Sequence, residues 1–487
     1  MKKQTLLLLL TLLSLNCFAA ANQQLLVKYT NNSLRNFKPS TYLRNSTHKI
    51  EILSDSWALF ETSNTKSLLA ALNEDPNVEY VQPNYAVHIL ENYQIQDPFR
   101  RAAFARGLGK ISLPTMRAIP DNLPIPENPT PTSGQDPLIN SQWGMKNIGA
   151  TESWQNLEKT SNVLVAVIDT GVDYTHEDLL PNIWRNPGET GKDSAGKNKA
   201  TNGIDDDGNG FVDDVVGWDF KSNDNKPYDL TTKWQELLTD GGNPGHGTHC
   251  AGNVAARGEN GKGISGVAPN VKIMALRFLG EKGGGTTADA IKAVKYAVDN
   301  GAKVLSNSWG SEGEDPSEGA ENKALRDIVQ YAQDHGVLFI AAAGNGHNGK
   351  GYDNDTDKNP GYPASYDHEN IISVAALDVN DRLGNFSNWG AKTVDIGAPG
   401  VNVFSTMVGN KYSDKVIDVG GFEVNWDGTS MATPHVAGAA ALYWSKYPKK
   451  SWQEVRDAIL TSVKKVPALS RKATTEGKLD VIEMLRK

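Results

Sequence analysis

Cysteine is almost missing from this chain. Its 487 residues contain only Cys17 and Cys250, and Cys17 falls in a segment read below as a removable leader. No disulfide framework is available, so a small core stapled by cross-links is excluded. A clustered basic face is lacking too: 49 Lys and Arg stand against 57 Asp and Glu, a net charge of −8. Nucleic-acid phosphates call for the opposite balance, and no nucleic-acid partner is expected. Long apolar runs are also wanting. The greasiest stretch, Leu6 to Leu15, is about half the roughly 20 residues a membrane-spanning helix needs, so no membrane span is expected. With 39% hydrophobic and 22% charged residues, what remains is ordinary globular composition. The 46 glycines and 23 prolines imply many turns, favouring a sheet-containing fold over a helical bundle.

Residues 1–21 carry Lys2 and Lys3, the short apolar run, then Ala19-Ala20-Ala21, the layout of a signal peptide. Export to the outside of the cell or to a periplasm is expected. A lipid anchor on Cys17 fits poorly, because Leu15-Asn16 is a bulky approach to it. Residues 22–94 read as a small α+β domain: a β-rich run Leu25–Tyr29, a helical stretch Thr65–Leu72, and a second β run Val78–Val81. In 95–135 periodicity is lost and six prolines fall between Pro114 and Pro131, which marks a linker. Residues 136–487 are long enough for a large core.

In that third region apolar runs alternate with amphipathic helices. Strands are expected at Val163–Ile168, Val271–Leu276, Val304–Ser306, Val337–Ala343 and Ile371–Ala375. One helix is capped by Thr286-Thr287, faces inward with Ile291, Val294 and Val298, and stops near Gly301. Another, Glu321–His335, turns Leu325, Ile328, Val329 and Ala332 inward. This alternation predicts an α/β fold: a parallel sheet flanked by helices on both faces, preceded by the small α+β domain. Ligands of such sheets bind beyond the carboxyl ends of the strands.

Polar residues at those ends form a suggestive set. Asp169 follows the strand Val163–Ile168. His246 opens Gly245-His246-Gly247-Thr248-His249, a small-residue helix start whose partial positive charge favours a neutral imidazole. Ser430 lies where a tight turn enters an Ala-rich helix, with Pro434 in its first turns, so its hydroxyl and N–H sit where negative charge is favoured. Asn345, after the strand Val337–Ala343, can supply a second donor to an oxyanion. Each also has a plainer reading, as a turn cap, a structural or metal-binding histidine pair with His249, an N-cap serine and an Asn-Gly turn. Zinc fits poorly, since no Glu lies between the histidines in a His-Glu-x-x-His pattern.

Taken together, Val167-Ile168-Asp169-Thr170-Gly171, His246-Gly247-Thr248-His249 and Gly428-Thr429-Ser430-Met431-Ala432-Thr433-Pro434-His435 resemble the three blocks of the subtilisin-like serine proteases, in that family's order. The resemblance covers 136–487 and implies a serine endopeptidase working through an acyl-enzyme. In it Asp169 would orient, His246 would act as base then acid, Ser430 would attack and Asn345 would hold the oxyanion. Residues 25–90 resemble the family's propeptide, a chaperone and inhibitor, so the chain would be a zymogen with its own propeptide as partner, proteins and peptides as substrates, and a monomeric state. Ser308-Trp309-Gly310 resembles the segment that pairs with an extended substrate, with Ala342, Ala343 and Gly344 lining the other side. Trp309 and the alanines point to an apolar preference. Cys250 stands where many relatives have Val, and Asp427 where Ser is common.

No organic cofactor is implied, but a structural calcium is. In Asn202–Asp214 the oxygen donors Asp205, Asp207, Asn209 and Asp213 have the spacing of the front half of an EF-hand, with Gly210 at the sharp turn and Val216 where the closing Glu would stand. Asp178 matches a position that often ligates calcium in the family, with Asn260 as companion. Two rival readings are a silent calcium-binding scaffold of the same fold and a metallohydrolase.

Overall fold

A computed structural model describes residues 23–30, 34, 49–90, 134–154, 161–313, 321–347, 349–419 and 422–487. The expected signal peptide, 1–21, and nearly all of the expected linker, 95–135, lie outside the described residues. The chain divides into two compact units, Met1–Tyr85 and Ala86–Lys487.

In the first unit β1 (Gln23–Tyr29), β2 (Lys49–Ile52), β3 (Trp57–Thr62) and β4 (Val78–Pro83) form an antiparallel sheet in the order β2-β3-β1-β4. Helix α1 (Thr65–Glu74) begins at Asn64, whose side chain accepts from the Ser67 N–H. Leu68 and Leu72, four apart and hence on one helical face, pack with Leu25, Val27, Tyr29, Ala58 and Phe60 of the sheet.

The larger unit takes in β5 (Ala86–Ile89), a segment the sequence assigns to the small domain. Nine strands make its main sheet: β6 (Leu164–Asp169), β7 (Gly217–Asp219), β8 (Lys272–Arg277), β10 (Val304–Asn307), β12 (Leu338–Ala342), β14 (Ile371–Leu377), β15 (Ile396–Pro399), β20 (Lys464–Lys465) and β21 (Gly477–Lys478). Their order is β20-β21-β15-β14-β12-β10-β6-β8-β7, parallel throughout except the β20–β21 pair. Every residue of β6, β12 and β14 is buried, as befits strands covered on both faces. A second sheet, β13-β11-β5-β9, joins β9 (Gly284–Thr286), β11 (Trp309–Glu312) and β13 (Gly361–Tyr362) to β5. Two hairpins, β16 (Ser405–Met407) with β17 (Lys411–Ser413) and β18 (Lys415–Val419) with β19 (Phe422–Asn425), precede the helix bearing Ser430.

The principal helices of this unit are α2 (His246–Ala255), α3 (Thr287–Asp299), α4 (Lys323–Asp334), α5 (Thr429–Lys446) and α6 (Trp452–Thr461). Thr286 caps α3 by accepting from the Asp289 N–H, and Asn322 caps α4 through the Leu325 N–H. Helix α2 is buried along its whole length, and α5 from Thr429 to Trp444. Both are built mostly of small residues, which is why they can sink into the core without an amphipathic stripe.

Candidate active site

Strand β6 delivers Asp169 to its carboxyl end, and α2 delivers His246 as its first residue. The His246 Nδ1 lies 2.7 Å from Asp169 Oδ1, an oxygen that also accepts the Thr170 N–H at 2.7 Å. Gly247 permits this approach. A Cβ there would meet the Gly171 carbonyl oxygen at 2.1 Å and Asp169 Cβ at 3.1 Å. The first turn of α2 is held by Asn243, whose Oδ1 accepts the N–H groups of Gly245 and His246, both at 2.9 Å.

A carboxylate not singled out from the sequence ties the two elements together. Asp229 is fully buried. Its Oδ2 accepts the Thr248 N–H (2.9 Å) and hydroxyl (2.7 Å), while Oδ1 accepts from Asn243 Nδ2 (2.7 Å) and the Thr170 hydroxyl (2.9 Å). The Thr170 oxygen in turn accepts the Gly247 N–H at 2.9 Å. Burial pushes the Asp229 carboxyl up to about 6, against the pull of these donors. Acid at a helix N-terminus is also favoured by the dipole. Since its partners lie 14 to 59 residues away, no local pattern announces the residue.

Ser430 is the second residue of α5 and fully buried. Its Oγ donates to the Ser308 carbonyl at 3.1 Å, and the Ser308 hydroxyl donates to the Ser430 carbonyl at 2.9 Å. Cys250 Sγ lies 3.5 Å from that same carbonyl, and it also clusters with Asp169 and His246, their candidate ligand atoms all within 4.8 Å. The buried thiol thus fills the space behind the imidazole and next to the serine turn. Asn345 Oδ1 accepts the N–H (2.9 Å) and hydroxyl (2.8 Å) of Thr429, so the amide is oriented from the residue preceding Ser430.

His249, the other half of the candidate histidine pair, stacks on Trp426 at 4.1 Å and bonds the Val403 carbonyl through Nε2 at 3.0 Å. Burial drives its pKa down to about 3, which marks it as a neutral packing group.

Of the expected substrate segments, Ser308–Gly310 borders a strand slot. Ser308, Trp309 and Gly310 run from the end of β10 into β11, while Ala342 ends β12 and Ala343 and Gly344 follow it. Trp309, however, is fully buried with its ring 4.9 Å from Phe278 and 6.4 Å from Phe339, so its indole belongs to the core and only its backbone faces β5. The slot between β11 and β9 holds β5, with Ile89 opposite Trp309 and His88 opposite Gly310.

The candidate calcium loop is organised differently from an EF-hand. Asp205 spends Oδ1 on the Gly208 and Asn209 N–H groups and Oδ2 on that of Gly210, and both Asp213 oxygens accept the Gly203 N–H. Asn209 Oδ1 accepts the Phe211 N–H. Only Asp207 joins an acidic cluster, with Glu189 and Asp214, two residues the sequence pattern did not bring out. Asp178 is buried elsewhere, accepting from Asn260 Nδ2 at 2.7 Å and the Ile264 N–H at 2.8 Å.

The chain matches the model of the subtilase family, a peptidase family, over residues 160–477. It is 32% identical over 408 residues to the thermophilic serine proteinase of Bacillus sp. (strain AK1), covering 84% of this chain and 73% of that one. Thermitase of Thermoactinomyces vulgaris is 35% identical over 332 residues, 68% of this chain and 91% of its own. Among solved structures, fervidolysin from Fervidobacterium pennivorans, described as a keratinolytic enzyme related to subtilisin, superposes with a TM-score of 0.65 at 23% identity. The likeness spans 96% of this chain and 61% of fervidolysin.

Proposed function

The chain belongs to the subtilase family of serine peptidases, and from that premise we propose that it is an exported endopeptidase, made as a zymogen, whose catalytic residues are Asp169, His246 and Ser430 with Asn345 as oxyanion donor. The observation that carries this reading is the 2.7 Å Asp169–His246 contact at the carboxyl end of β6, set against the helix start that bears Ser430. Once substrate is bound, Ser430 Oγ turns from the Ser308 carbonyl, loses its proton to His246 Nε2 and attacks the peptide carbonyl carbon. Asp169 holds the ring by Nδ1 and stabilises the imidazolium. The oxyanion is met by the Asn345 amide and the Ser430 N–H at the start of α5. His246 then gives its proton to the leaving amine. Water, deprotonated by the same histidine, releases the acyl group and restores the serine.

The slot between β9 and β11 recognises substrate by backbone pairing, which supports broad tolerance for sequence. Strand β5 in that slot is the zymogen's own inhibitory segment. The signal-like residues 1–21 support export, and no helix among the described residues is long and apolar enough to cross a membrane. A structural calcium is part of the reading: Asp178 with Asn260 and Asp136 would hold one such ion. Burial raises both carboxyls there, with Glu259 adding to the rise at Asp136 and Asp136 to that at Asp178, a cost that a divalent cation would offset.

The test is labelling of the secreted protein by a fluorophosphonate, alongside casein hydrolysis. Both are expected in the parent and absent from Ser430→Ala. Turnover that survives in the variant would overturn the assignment.

A further inference from the structure

We propose that His347, gripped by Glu312 and stacked on Tyr352, is a positioning residue that limits the size of the substrate side chain accepted just before the cut; the inference rests on the peptidase reading and deepens it. Strand β5 supplies the starting point. With Ile89 opposite Trp309 and His88 opposite Gly310, the chain runs on to Leu90, whose side chain lies against Gly310. A Cβ on that glycine would stand 3.5 Å from Leu90 Cδ2 and 2.3 Å from the Tyr362 carbonyl oxygen. The backbone of Gly310 and the strand β13 beside it therefore bound the space this side chain enters.

Strand β13 leans in turn on the end of β12. A Cβ on Gly361 would meet the Ala343 carbonyl oxygen at 2.7 Å, and Asn354 bridges the two, donating Nδ2 to that carbonyl at 2.8 Å and accepting the Gly361 N–H at 3.2 Å. The chain thus leaves the site at Asn345 and returns to it at Gly361. Its first turn is tight: Gly346 has φ +67°, and His347 and Lys350 exchange backbone hydrogen bonds of 3.0 and 3.1 Å.

Side chains tie this turn to the substrate-pairing strand. His347 Nδ1 lies 2.9 Å from Oε2 of Glu312, the last residue of β11, and its Nε2 faces Asp357 Oδ1 at 3.9 Å. The ring stacks on Tyr352 at 4.3 Å and 18°. Tyr352 is pinned by its hydroxyl, which donates to the Asn359 carbonyl at 2.9 Å, and by its N–H, which donates to Asn388 Oδ1 at 3.2 Å. Glu312 stands two residues past Gly310 and His347 two past Asn345, so the pair clasps the two sides of the site from outside. The side chains are 42% and 43% exposed, so their charges alone hold weakly and the stacked ring completes the clasp. Exposure also means that either can be truncated without opening a hole in the core.

Processed enzyme is assayed on two peptides that differ only in the residue before the cut, Leu or Phe, and the ratio of their kcat/KM is read, a quantity that misfolded protein does not move. In His347→Ala and in Glu312→Ala the turn can stand away from β11, and the Phe-to-Leu ratio is expected to rise at least fivefold through a lower KM for the Phe peptide, with kcat on the Leu peptide held. The double variant is expected to shift no further than either single one, because the two side chains act as one contact. Glu312→Gln, which keeps an oxygen for the imidazole N–H, is expected to stay within about twofold of the parental ratio. The parental ratio in both alanine variants, or shifts that add in the double variant, would overturn the proposal. A parent that cleaves neither peptide would instead sink the peptidase reading, and this inference with it.

Discussion

At the scale of single residues, the groups proposed as reactive are held in place by hydrogen-bonded neighbours. Asn345 is fixed by two bonds to Thr429, so its amide is aimed before substrate arrives. Asn345→Ala is expected to lower kcat about 10²–10³-fold with little change in KM, because the lost bond forms only with the oxyanion. Steady-state kinetics on a peptide substrate checks this. Asp229 acts one step back, as a positioning residue. Asp229→Ala strands the Thr248 N–H and hydroxyl and the Asn243 amide in the core. A stability loss of about 3 kcal/mol is expected, with kcat falling while KM holds, read by denaturant unfolding and kinetics. A fall in stability with unchanged kcat would restrict Asp229 to a structural role. Legibility differed sharply here. Asp169, His246, Ser430 and Asn345 sit in small-residue blocks whose local chemistry is visible in the sequence, whereas Asp229 and Glu189 are lone acids whose partners come from elsewhere in the chain. Trp309 was visible but misleading, because a strand residue's type does not say which face its side chain takes.

At the scale of elements, the strands of the parallel sheet are plain in the sequence because burial on both faces leaves unbroken apolar runs. Thus Val304–Ser306 and Ile371–Ala375 are found within a residue or two of β10 and β14. The edge strands β7 and β20, and the two-residue β21 beside β20, are too short for such a run and do not stand out in the sequence. Strand β5 was assigned to the small domain by position, since nothing local says which sheet an extended segment joins. Its register has a consequence for maturation. With Ile89 opposite Trp309 and His88 opposite Gly310, the next antiparallel step sets Leu90 opposite Ser308, whose carbonyl holds Ser430 Oγ. The Leu90–Glu91 bond is therefore expected to be the first one cut, and mass spectrometry of freshly processed protein should find Glu91 as the new N-terminus. Ile89→Pro removes the N–H that donates to the Gly283 carbonyl at 2.9 Å, and precursor is expected to accumulate several-fold relative to the parent. A first cut elsewhere would dissociate β5 from processing.

At the scale of the whole molecule, buried titratable groups in the larger unit pull stability in opposite directions as the medium is acidified. His249 and His435 are fully buried and held down, to about 3 and about 4, chiefly by desolvation. The unfolded chain takes up protons on both near pH 6.5 while the folded chain does not, so their contribution is complete above pH 6.5 and is lost as pH falls towards 4. By pH 4.5 each costs about 3 kcal/mol at 1.36 kcal/mol per unit. Asp229 runs the other way: raised to about 6, it is protonated more readily folded than unfolded, and between pH 6 and 4 it returns about 3 kcal/mol. Among these three groups the two histidines outweigh the carboxyl, a loss of about 3 kcal/mol between pH 7 and 4.5, of which Asp214, also raised by burial to about 6, offsets a part. Guanidinium unfolding of Ser430→Ala at the two pH values, in saturating calcium, measures it. Adding His435→Gln, whose amide can still donate to the Met431 carbonyl that His435 Nδ1 meets at 2.8 Å, should remove most of that loss. An undiminished loss in the double variant would show that the acid sensitivity arises outside the core of α5.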